Sequence, residues 1–181
     1  MKNELILDTA LQLFVEYGYE ATPISMLADK AKIAIGTIYR YYPSKNDIAN
    51  ALFQKWKKNF HDELQEGFPI DASIREKFKF LFFRMVSFYK KHPTAFEFLE
   101  FHYHSSYLNQ KSLQISEEMM KFLRNFVQEE KVFKDMPPDA IAGFVMGAFT
   151  GIIRTAKSNT FILSDNLLKM IEENCWQALT K

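Results

Sequence analysis

Residues 22–48, TPISMLADKAKIAIGTIYRYYPSKNDI, combine two short helical patterns, a break and the start of a third helix. Thr22 followed by Pro23 is typical of a helix start, because a hydroxyl can cap free amides and proline suits the first helical position. Apolar residues then recur at helical spacing and predict one buried face, at Ile24, Leu27, Ala28 and Ala31. The pattern breaks at residues 32–34.

The second pattern covers residues 35–42, with Ile38 and Tyr42 facing inward. Ala28 is small enough for the two helices to cross closely, and burial of Ile33 and Ile38 should hold them together. Two short helices joined by a tight turn predict a helix-turn-helix, whose second helix lies in the major groove of DNA. The alternative is a structural helical hairpin with a solvated basic face.

The outward positions of the second helix carry groups suited to DNA. Gly36 allows the backbone to approach a phosphate, and Thr37 can contact a phosphate or a thymine methyl group. Hydroxyl and guanidinium donors come from Tyr39, Arg40 and Tyr41. Ser44 is expected to cap the next helix and Lys45 to contact a phosphate beside its amino end.

Positive charge is concentrated around this segment. The chain as a whole carries a net charge of only +1. Between residues 30 and 58, however, a single acid, Asp47, stands against seven basic residues: Lys30, Lys32, Arg40, Lys45, Lys55, Lys57 and Lys58. Such a local excess of positive charge is typical of a nucleic-acid contact surface.

The order LFVEYGYEAT (13–22), LADKA (27–31) and GTIYRYYPSKNDI (36–48) resembles the amino-terminal domain of the tetracycline-repressor (TetR) family of transcription regulators, over about residues 3–53. The resemblance implies a homodimer that binds a palindromic double-stranded DNA operator. It also implies that variable carboxy-terminal helices bind a small effector, which usually releases the DNA. The DNA contacts it implies are Ser25, Ile35, Gly36, Thr37, Tyr39, Arg40, Tyr41 and Lys45.

Three positions depart from the family pattern. Lys32 stands at the turn position usually taken by glycine, which would cost roughly 1 kcal/mol if the backbone there is left-handed. Ala34 replaces the usual serine cap before the second helix, a loss of about 1 kcal/mol of local stability. Ile35, where many relatives carry a polar residue, offers only apolar contact and favours a thymine methyl group.

Composition predicts an all-α fold. Glycine and proline number only six each and fall mostly between periodic segments, and no run of 18 or more apolar residues is present. Cys175 is the only cysteine, which indicates a reducing, cytoplasmic location without an intramolecular disulfide. We expect no signal peptide and no membrane association. The expected domains are residues 1–46 for DNA binding and residues 47–181 for effector binding and dimerisation.

Nine helices are expected, and each is delimited by caps, prolines or glycines. The predicted first helix buries Ile6, Ala10, Leu13, Phe14 and Tyr17. The fourth carries Trp56 and Phe60 on its inner face. It links the DNA-binding domain (the head, residues 1–46) to the rest of the chain (the body, residues 47–181). The predicted ranges are 3–17, 22–31, 35–42, 45–66, 72–91, 93–107, 112–132, 137–158 and 165–179.

The body is rich in aromatic residues, since 11 of the 18 phenylalanines lie between residues 78 and 133. One interpretation is core packing. The other is a cavity for a hydrophobic small-molecule effector, with methionines adapting its shape. Candidate effector contacts are Phe82, Met85, Phe101, His102, Tyr103, Met119 and Phe122.

No metal or cofactor is expected. His102 and His104 are two residues apart on a predicted helix and so point about 200° apart, which prevents both from binding one metal. The sequence contains no glycine-rich phosphate loop, nucleophile elbow or carboxylate-rich metal motif. An enzyme is therefore the weakest of the function classes that we considered.

Residues 141–152, IAGFVMGAFTGI, place Gly143, Gly147 and Gly151 at a strict spacing of four. Glycine inside a helix costs roughly 1 kcal/mol, so three on one face indicate a close helix contact. We expect a four-helix dimer interface with the last helix, which contributes Leu168, Ile171 and Cys175. The alternative is close packing within one subunit.

The sequence therefore predicts an all-α, dimeric DNA-binding transcription regulator, most simply a repressor released by a hydrophobic effector. A different class stays open, namely a helical protein that binds hydrophobic ligands but does not read DNA. Binding to the DNA that flanks its own gene distinguishes the two.

Overall fold

A computed structural model describes residues 2–129, 131–158 and 161–181 of the chain. Within these residues nine α-helices follow one another, which confirms the predicted all-α fold. Their only extended pairing is a single antiparallel bridge between Phe133 and Thr180. The helices are α1 Lys2–Glu16, α2 Ile24–Ala31, α3 Ile35–Tyr41, α4 Lys45–Gln65, α5 Ile74–Lys91, α6 Pro93–His102, α7 Gln110–Gln128, α8 Pro138–Lys157 and α9 Asp165–Leu179.

The helices divide into two units. The first unit comprises the chain up to Glu66 together with Arg84–Glu117, and the second comprises Gly67–Phe83 together with Glu118–Lys181. The boundary between units therefore falls inside α5 and inside α7. In the first unit, helices α1 and α4 both pack against α6.

The beginning of α2 differs from the prediction. Thr22 is buried, but its hydroxyl does not cap α2: it donates to the carbonyl of Gly18 at 2.8 Å, at the end of α1. Pro23 precedes α2 as its cap residue rather than starting it. Tyr17, predicted to be buried, lies beyond the end of α1 and is exposed, because Gly18 turns the chain with a φ of 86°.

The turn between α2 and α3 is closed by two backbone hydrogen bonds. Lys32 has φ 53° and ψ 44°, which confirms the left-handed conformation expected at this position. Its amide donates to the carbonyl of Asp29 at 3.2 Å, and the amide of Ile33 donates to that of Ala28 at 3.0 Å. This pair of bonds is the Schellman arrangement that ends many helices, and it normally uses glycine. Ala34 precedes α3 without a side-chain cap, as predicted.

Helix α6 is shorter than predicted and ends at His102 rather than Tyr107. A turn follows, with the amide of Ser105 donating to the carbonyl of His102 at 3.1 Å. Asn109 then caps α7, because its Oδ1 accepts from the amide of Ser112 at 3.0 Å. Helix α7 ends at Gln128, before the predicted 132; of the predicted end, Glu130 lies outside the described residues.

Asn50 joins α4 to the segment that connects α6 and α7. Its side chain is buried, and its Nδ2 donates to the carbonyls of Asn46 and Tyr107, both at 2.9 Å. Its Oδ1 accepts from the amide of Asn109 at 2.8 Å and from the hydroxyl of Ser112 at 2.7 Å. All four hydrogen-bonding positions of a buried amide are thus used, which makes this junction specific in geometry.

Lys57 is a second buried polar residue of α4. Only 4 % of it is exposed, and its Nζ lies 4.6 Å from the centroid of the Tyr103 ring. Burial lowers the pKa of Lys57 to about 8, although the negative charge of Glu100 opposes that change. The charged amine is therefore held in the first unit at a cost in folding free energy.

The second unit buries aromatic residues of α5 against α8 and α9. The ring of Phe82 lies edge-on to that of Phe149 at 5.8 Å, and Phe78 contacts Trp176 at 5.3 Å. Arg75 forms a two-pronged ion pair with the buried carboxylate of Glu172. These contacts bring α5 and α9 together by both apolar and charged groups.

Helix α8 has few buried residues, namely Ile141, Phe149 and Ile153. It is long and apolar enough to cross a membrane by length and composition alone, and only 17 % of that segment is buried. Phe144 is among its exposed residues. A single helix of this kind is weak support for a membrane span, since length and composition do not say what covers the exposed face.

The left-handed backbone at Lys32 leads to a prediction about stability. We expect Lys32→Gly to raise the free energy of unfolding by about 0.5–1 kcal/mol, because it removes the steric cost of a Cβ in this conformation. The control Lys30→Gly, on α2, should lower it by a similar amount. Urea unfolding of both variants measures the difference. Destabilisation by both substitutions would contradict the prediction.

Buried Lys57 leads to a prediction about pH. Its pKa is lower in the folded than in the unfolded chain, so wild-type stability should rise as pH increases from about 8 to about 10.5. Lys57→Met should stabilise the protein by roughly 3 kcal/mol at pH 7, and the gain should disappear above about pH 10.5.

Denaturant unfolding at pH 7 and at high pH tests this, with Lys58→Met as the control. Lys58 neighbours Lys57 but is exposed, so its substitution should change stability little. A Lys57→Met variant less stable than wild type at pH 7 would show that the buried amine stabilises the fold.

Candidate nucleic-acid interface

Helix α3 is held by one buried side chain and presents the others to solvent. Ile38 is fully buried, whereas 44 % of Ile35, 48 % of Tyr39 and 44 % of Tyr41 are exposed. Arg40 is also exposed. A short helix with one anchoring side chain and a continuous exposed polar and aromatic face has the form of a recognition helix.

The remaining predicted DNA contacts of the two helices are accessible to solvent, fully or in part. A Cβ built on Gly36 would meet no other atom within 4 Å, so the backbone there is open to close approach. Thr37 is partly exposed near the start of α3, and Ser25 is exposed in the first turn of α2. Phosphate contacts at helix starts use hydroxyls and backbone amides of this kind.

Lys45, predicted to contact a phosphate, makes contacts within the chain. Its Nζ donates to the carbonyls of Tyr19 at 2.9 Å and Glu20 at 3.4 Å, and it lies 4.2 Å from the centroid of the Tyr19 ring. The preceding Ser44 caps α4 as predicted, because its hydroxyl accepts from the amide of Asp47 at 3.2 Å. Lys45 therefore fastens the start of α4 to the connection between α1 and α2.

Tyr19 is a residue of this site that the sequence analysis did not identify. Its hydroxyl is hydrogen-bonded to the side chain of Asn46, and its ring lies 4.4 Å from that of Tyr107. It also holds Lys45 through its ring and its carbonyl. The only sequence signal was an aromatic residue just after Gly18, which does not reveal partners 27 and 88 positions away.

The candidate effector residues are divided between the two units. Phe82, Met119 and Phe122 belong to the second unit, and Met85, Phe101, His102 and Tyr103 to the first. Phe82, Met85, Met119 and His102 are buried, whereas 60 % of Phe101 is exposed. Phe101 therefore does not line an enclosed cavity of its unit, because α6 turns it outward.

His102 is buried among aromatic rings in the first unit. The ring of Phe98 lies 4.3 Å away, and the Tyr107 hydroxyl is hydrogen-bonded to Nδ1. Burial lowers the pKa of His102 to about 4 and raises that of Tyr107 to about 12, so both are neutral near pH 7. In the described part of the chain, no group of three or more His, Cys, Asp or Glu side chains could hold a metal ion.

Each unit has an open cleft of the size of a small molecule. The cleft of the first unit, about 420 Å³, lies between α4 and the end of α5. Its carboxylates already have cationic partners, as Glu63 accepts from Lys91 at 3.0 Å and from Arg84 at 3.3 Å. The cleft of the second unit, about 470 Å³, is lined by Phe68, Phe122, Asn125, Phe126, Gln128 and Glu129.

The glycines of α8 face away from the rest of their unit. A Cβ on Gly143, Gly147 or Gly151 would meet nothing within 4 Å, so no helix of the described chain packs closely against them. This observation contradicts the alternative of close packing within one subunit. Leu168, Ile171 and Cys175 of α9 are instead buried within the unit and are not available to a second copy, contrary to the expectation from the sequence.

Family models account for almost the whole chain. Residues 6–52 match the model described as bacterial regulatory proteins, tetR family. Residues 53–181 match the model of the tetracyclin repressor-like, C-terminal domain. The second match alone covers more than half of the chain, and the first contains the complete helix-turn-helix.

Curated relatives share shorter stretches. The Fatty acid metabolism regulator protein of Bacillus subtilis (strain 168) is 35% identical over 72 residues, which is 40% of this chain and 37% of that protein. The HTH-type transcriptional repressor KstR of Rhodococcus jostii (strain RHA1) is 46% identical over 58 residues, which is 32% of this chain and 27% of that protein. The matched stretch thus spans well under half the length of either relative.

Solved structures share the fold over nearly the full chain. A TetR family transcription regulator from Marinobacter aquaeolei VT8 has a TM-score of 0.88 at 19% identity, covering 99% of this chain and 96% of that one. The fatty acid degradation regulator FadR from Bacillus halodurans has a TM-score of 0.78 at 22% identity, covering 97% and 94%. These structures share the fold, and the two family models show that the chain belongs to the TetR family.

Proposed function

We propose that the protein is a sequence-specific regulator of transcription that binds double-stranded DNA as a homodimer in the cytoplasm. The single observation that carries this proposal is the exposed face of α3, held in place by fully buried Ile38. Tyr39 and Arg40 supply hydrogen-bond donors to this face, and Ile35 supplies an apolar contact for a thymine methyl group. The contacts implied by the family are Ser25, Ile35, Gly36, Thr37, Tyr39, Arg40, Tyr41 and Lys45.

We assign DNA binding to residues 1–46, and effector binding and dimerisation to residues 47–181. The effector is a hydrophobic small molecule that releases the DNA, so the protein acts as a repressor. The relatives named for fatty acid metabolism and fatty acid degradation support an apolar metabolite as the effector. For the effector to release the DNA, it must bind the DNA-free arrangement of the protein more tightly than the DNA-bound arrangement, typically by about 1–3 kcal/mol.

The dimer is assigned to the glycine face of α8. Gly143, Gly147 and Gly151 leave this face without side chains, and Phe144 beside it is exposed. On α9 the exposed apolar residue is Met170, because the stripe of Leu168, Ile171 and Cys175 is buried within the chain. A second copy that covers this surface accounts for an apolar helix that its own subunit leaves open.

Capture of genomic DNA fragments by the purified protein, followed by mobility shift with the enriched fragments, tests the proposal. We expect enriched sites with two-fold symmetry, one half-site for each recognition helix. Failure to enrich any sequence would favour the other class, a helical protein that binds hydrophobic ligands without reading DNA.

Substitutions on α3 should separate general from sequence-specific contacts. Tyr39→Phe should weaken binding to all DNA sequences, because a phosphate contact carries no base information. Arg40→Ala should also relax the base preference at one position and cost about 1–3 kcal/mol of binding free energy. Lys121→Ala on α7, which is exposed in the second unit, is the control. Unchanged affinity in both α3 variants would exclude this helix from the DNA contact.

Gly147→Leu should separate dimerisation from folding. A Cβ at Gly147 meets nothing within the chain, so the variant should fold, with a more stable α8 because leucine favours helix by about 0.8 kcal/mol over glycine. The bulky side chain should nevertheless prevent close approach of a second α8 and shift sedimentation to the monomer. Lys121→Leu is the control for an added apolar surface. A Gly147→Leu dimer as stable as wild type would place the interface elsewhere.

A further inference from the structure

The cleft of the second unit has an aromatic floor and a polar rim. Phe68 lies edge-on to Phe122, with ring centroids 5.3 Å apart, and edge-on to Phe80 at 5.9 Å. The carboxamides of Asn125 and Gln128 and the carboxylate of Glu129 complete the lining. A volume of about 470 Å³ is within the range of small-molecule sites, and the rings suit a flat or chain-like apolar body.

Glu129, at the rim of the cleft, forms an ion pair with Lys77, and the two side chains differ in exposure. Glu129 accepts a hydrogen bond from the ammonium of Lys77, which comes from α5. The Lys77 side chain is only 5 % exposed, whereas that of Glu129 is 42 % exposed. A buried ammonium must keep an anionic partner, because leaving it alone costs far more than hydrating a surface carboxylate. Glu129 is thus the partner that can leave.

This inequality decides which charged ligands the cleft can accept. A cationic ligand that took Glu129 would leave the buried ammonium of Lys77 without an anion. An anionic ligand can replace Glu129 at Lys77, and the released Glu129 side chain then turns into water. A neutral ligand leaves the pair intact but gains no charge-assisted hydrogen bond.

We propose that this cleft binds small aryl or acyl carboxylates. Their apolar body lies on Phe68, Phe122 and Phe126, and their carboxylate exchanges with that of Glu129 on Lys77. The inference rests on the proposed function in one respect only, since it names the chemical class of the effector. The exchange itself is a property of the second unit and does not depend on DNA.

Calorimetric titration with three probes of one apolar body tests the head-group preference. The probes are naphthoate, naphthylmethanol and naphthylmethylamine, and the protein is the full-length chain. We expect naphthoate to bind at least about tenfold more tightly than the alcohol, as a charge-assisted hydrogen bond allows, and the amine to bind most weakly. Equal affinities, a preference for the amine or no binding by naphthoate would each overturn the proposal.

Two variants and a control then distinguish carboxylate exchange at Lys77 from general electrostatic attraction to the protein. Lys77→Met should abolish the preference for naphthoate over the alcohol, whereas Lys79→Met, two residues along α5 and exposed, should keep it. Glu129→Gln should tighten naphthoate by about tenfold, because the competing carboxylate is gone. Circular dichroism confirms folding of each variant. Glu129→Gln keeps the buried ammonium of Lys77, so the test holds even if Lys77→Met fails to fold. Weaker naphthoate binding to Glu129→Gln would overturn the proposed exchange.

A parallel mobility shift distinguishes failure of this proposal from failure of the proposed function. Ligand-free protein should bind the captured DNA with the same affinity in the wild type and in Lys79→Met, because Lys79 lies neither in the cleft nor in residues 1–46. Naphthoate binding without DNA binding would refute the regulator and leave the site. DNA binding with no preference for naphthoate would refute the site and leave the regulator.

Discussion

The start of α4, directly after the recognition helix, is fixed by hydrogen bonds of its first two turns. Lys45 binds the carbonyls that follow α1, and Asn46 is hydrogen-bonded to Tyr19. One turn later, Asn50 binds both backbone and side-chain groups between Tyr107 and Ser112. Helix α3 itself has one fully buried side chain, Ile38, and packs against α1 and α2. Lys45 therefore has a structural role in addition to its proposed contact with DNA. Its replacement should lower both the stability of the protein and its affinity for DNA.

Two other buried polar side chains of the first unit cost folding free energy and restrict its geometry. Lys57 and His102 are buried polar groups that contact aromatic rings. An apolar residue in either place would cost less to bury, but a polar group fixes one geometry because few alternatives satisfy it. In the first unit, Asn50 of α4 binds the carbonyl of Tyr107, and Gln54 of α4 donates to Asn109 at 3.2 Å and to Ser112 at 3.1 Å. Two residues of α4 thus fix the segment that follows α6.

Local signals predicted most of the head, and long-range contacts explain the differences. The left-handed Lys32, the uncapped Ala34 and the Ser44 cap all follow from residues within a few positions of each other. Thr22 was misassigned because its partner, the carbonyl of Gly18, competes with the capping role that its sequence context favours. The predicted end of α6 was wrong for a similar reason, since the chain turns after His102 and the carbonyl of Tyr107 bonds to Asn50, 57 positions away.

The burial of the α9 stripe was harder to predict because apolar periodicity does not say which neighbour covers an apolar face. In α9 the side chains of Leu168, Ile171 and Cys175 are buried within their own subunit. In α8 a Cβ added at any of the three glycines would meet nothing within 4 Å. Both helices show comparable apolar repeats in sequence. What differs is side-chain volume: a stripe of large residues can fill the interior of one subunit, but a stripe of glycines cannot fill anything and gains only from another backbone. Glycine spacing in α8, rather than hydrophobicity, is therefore the feature that supports the proposed contact with a second copy.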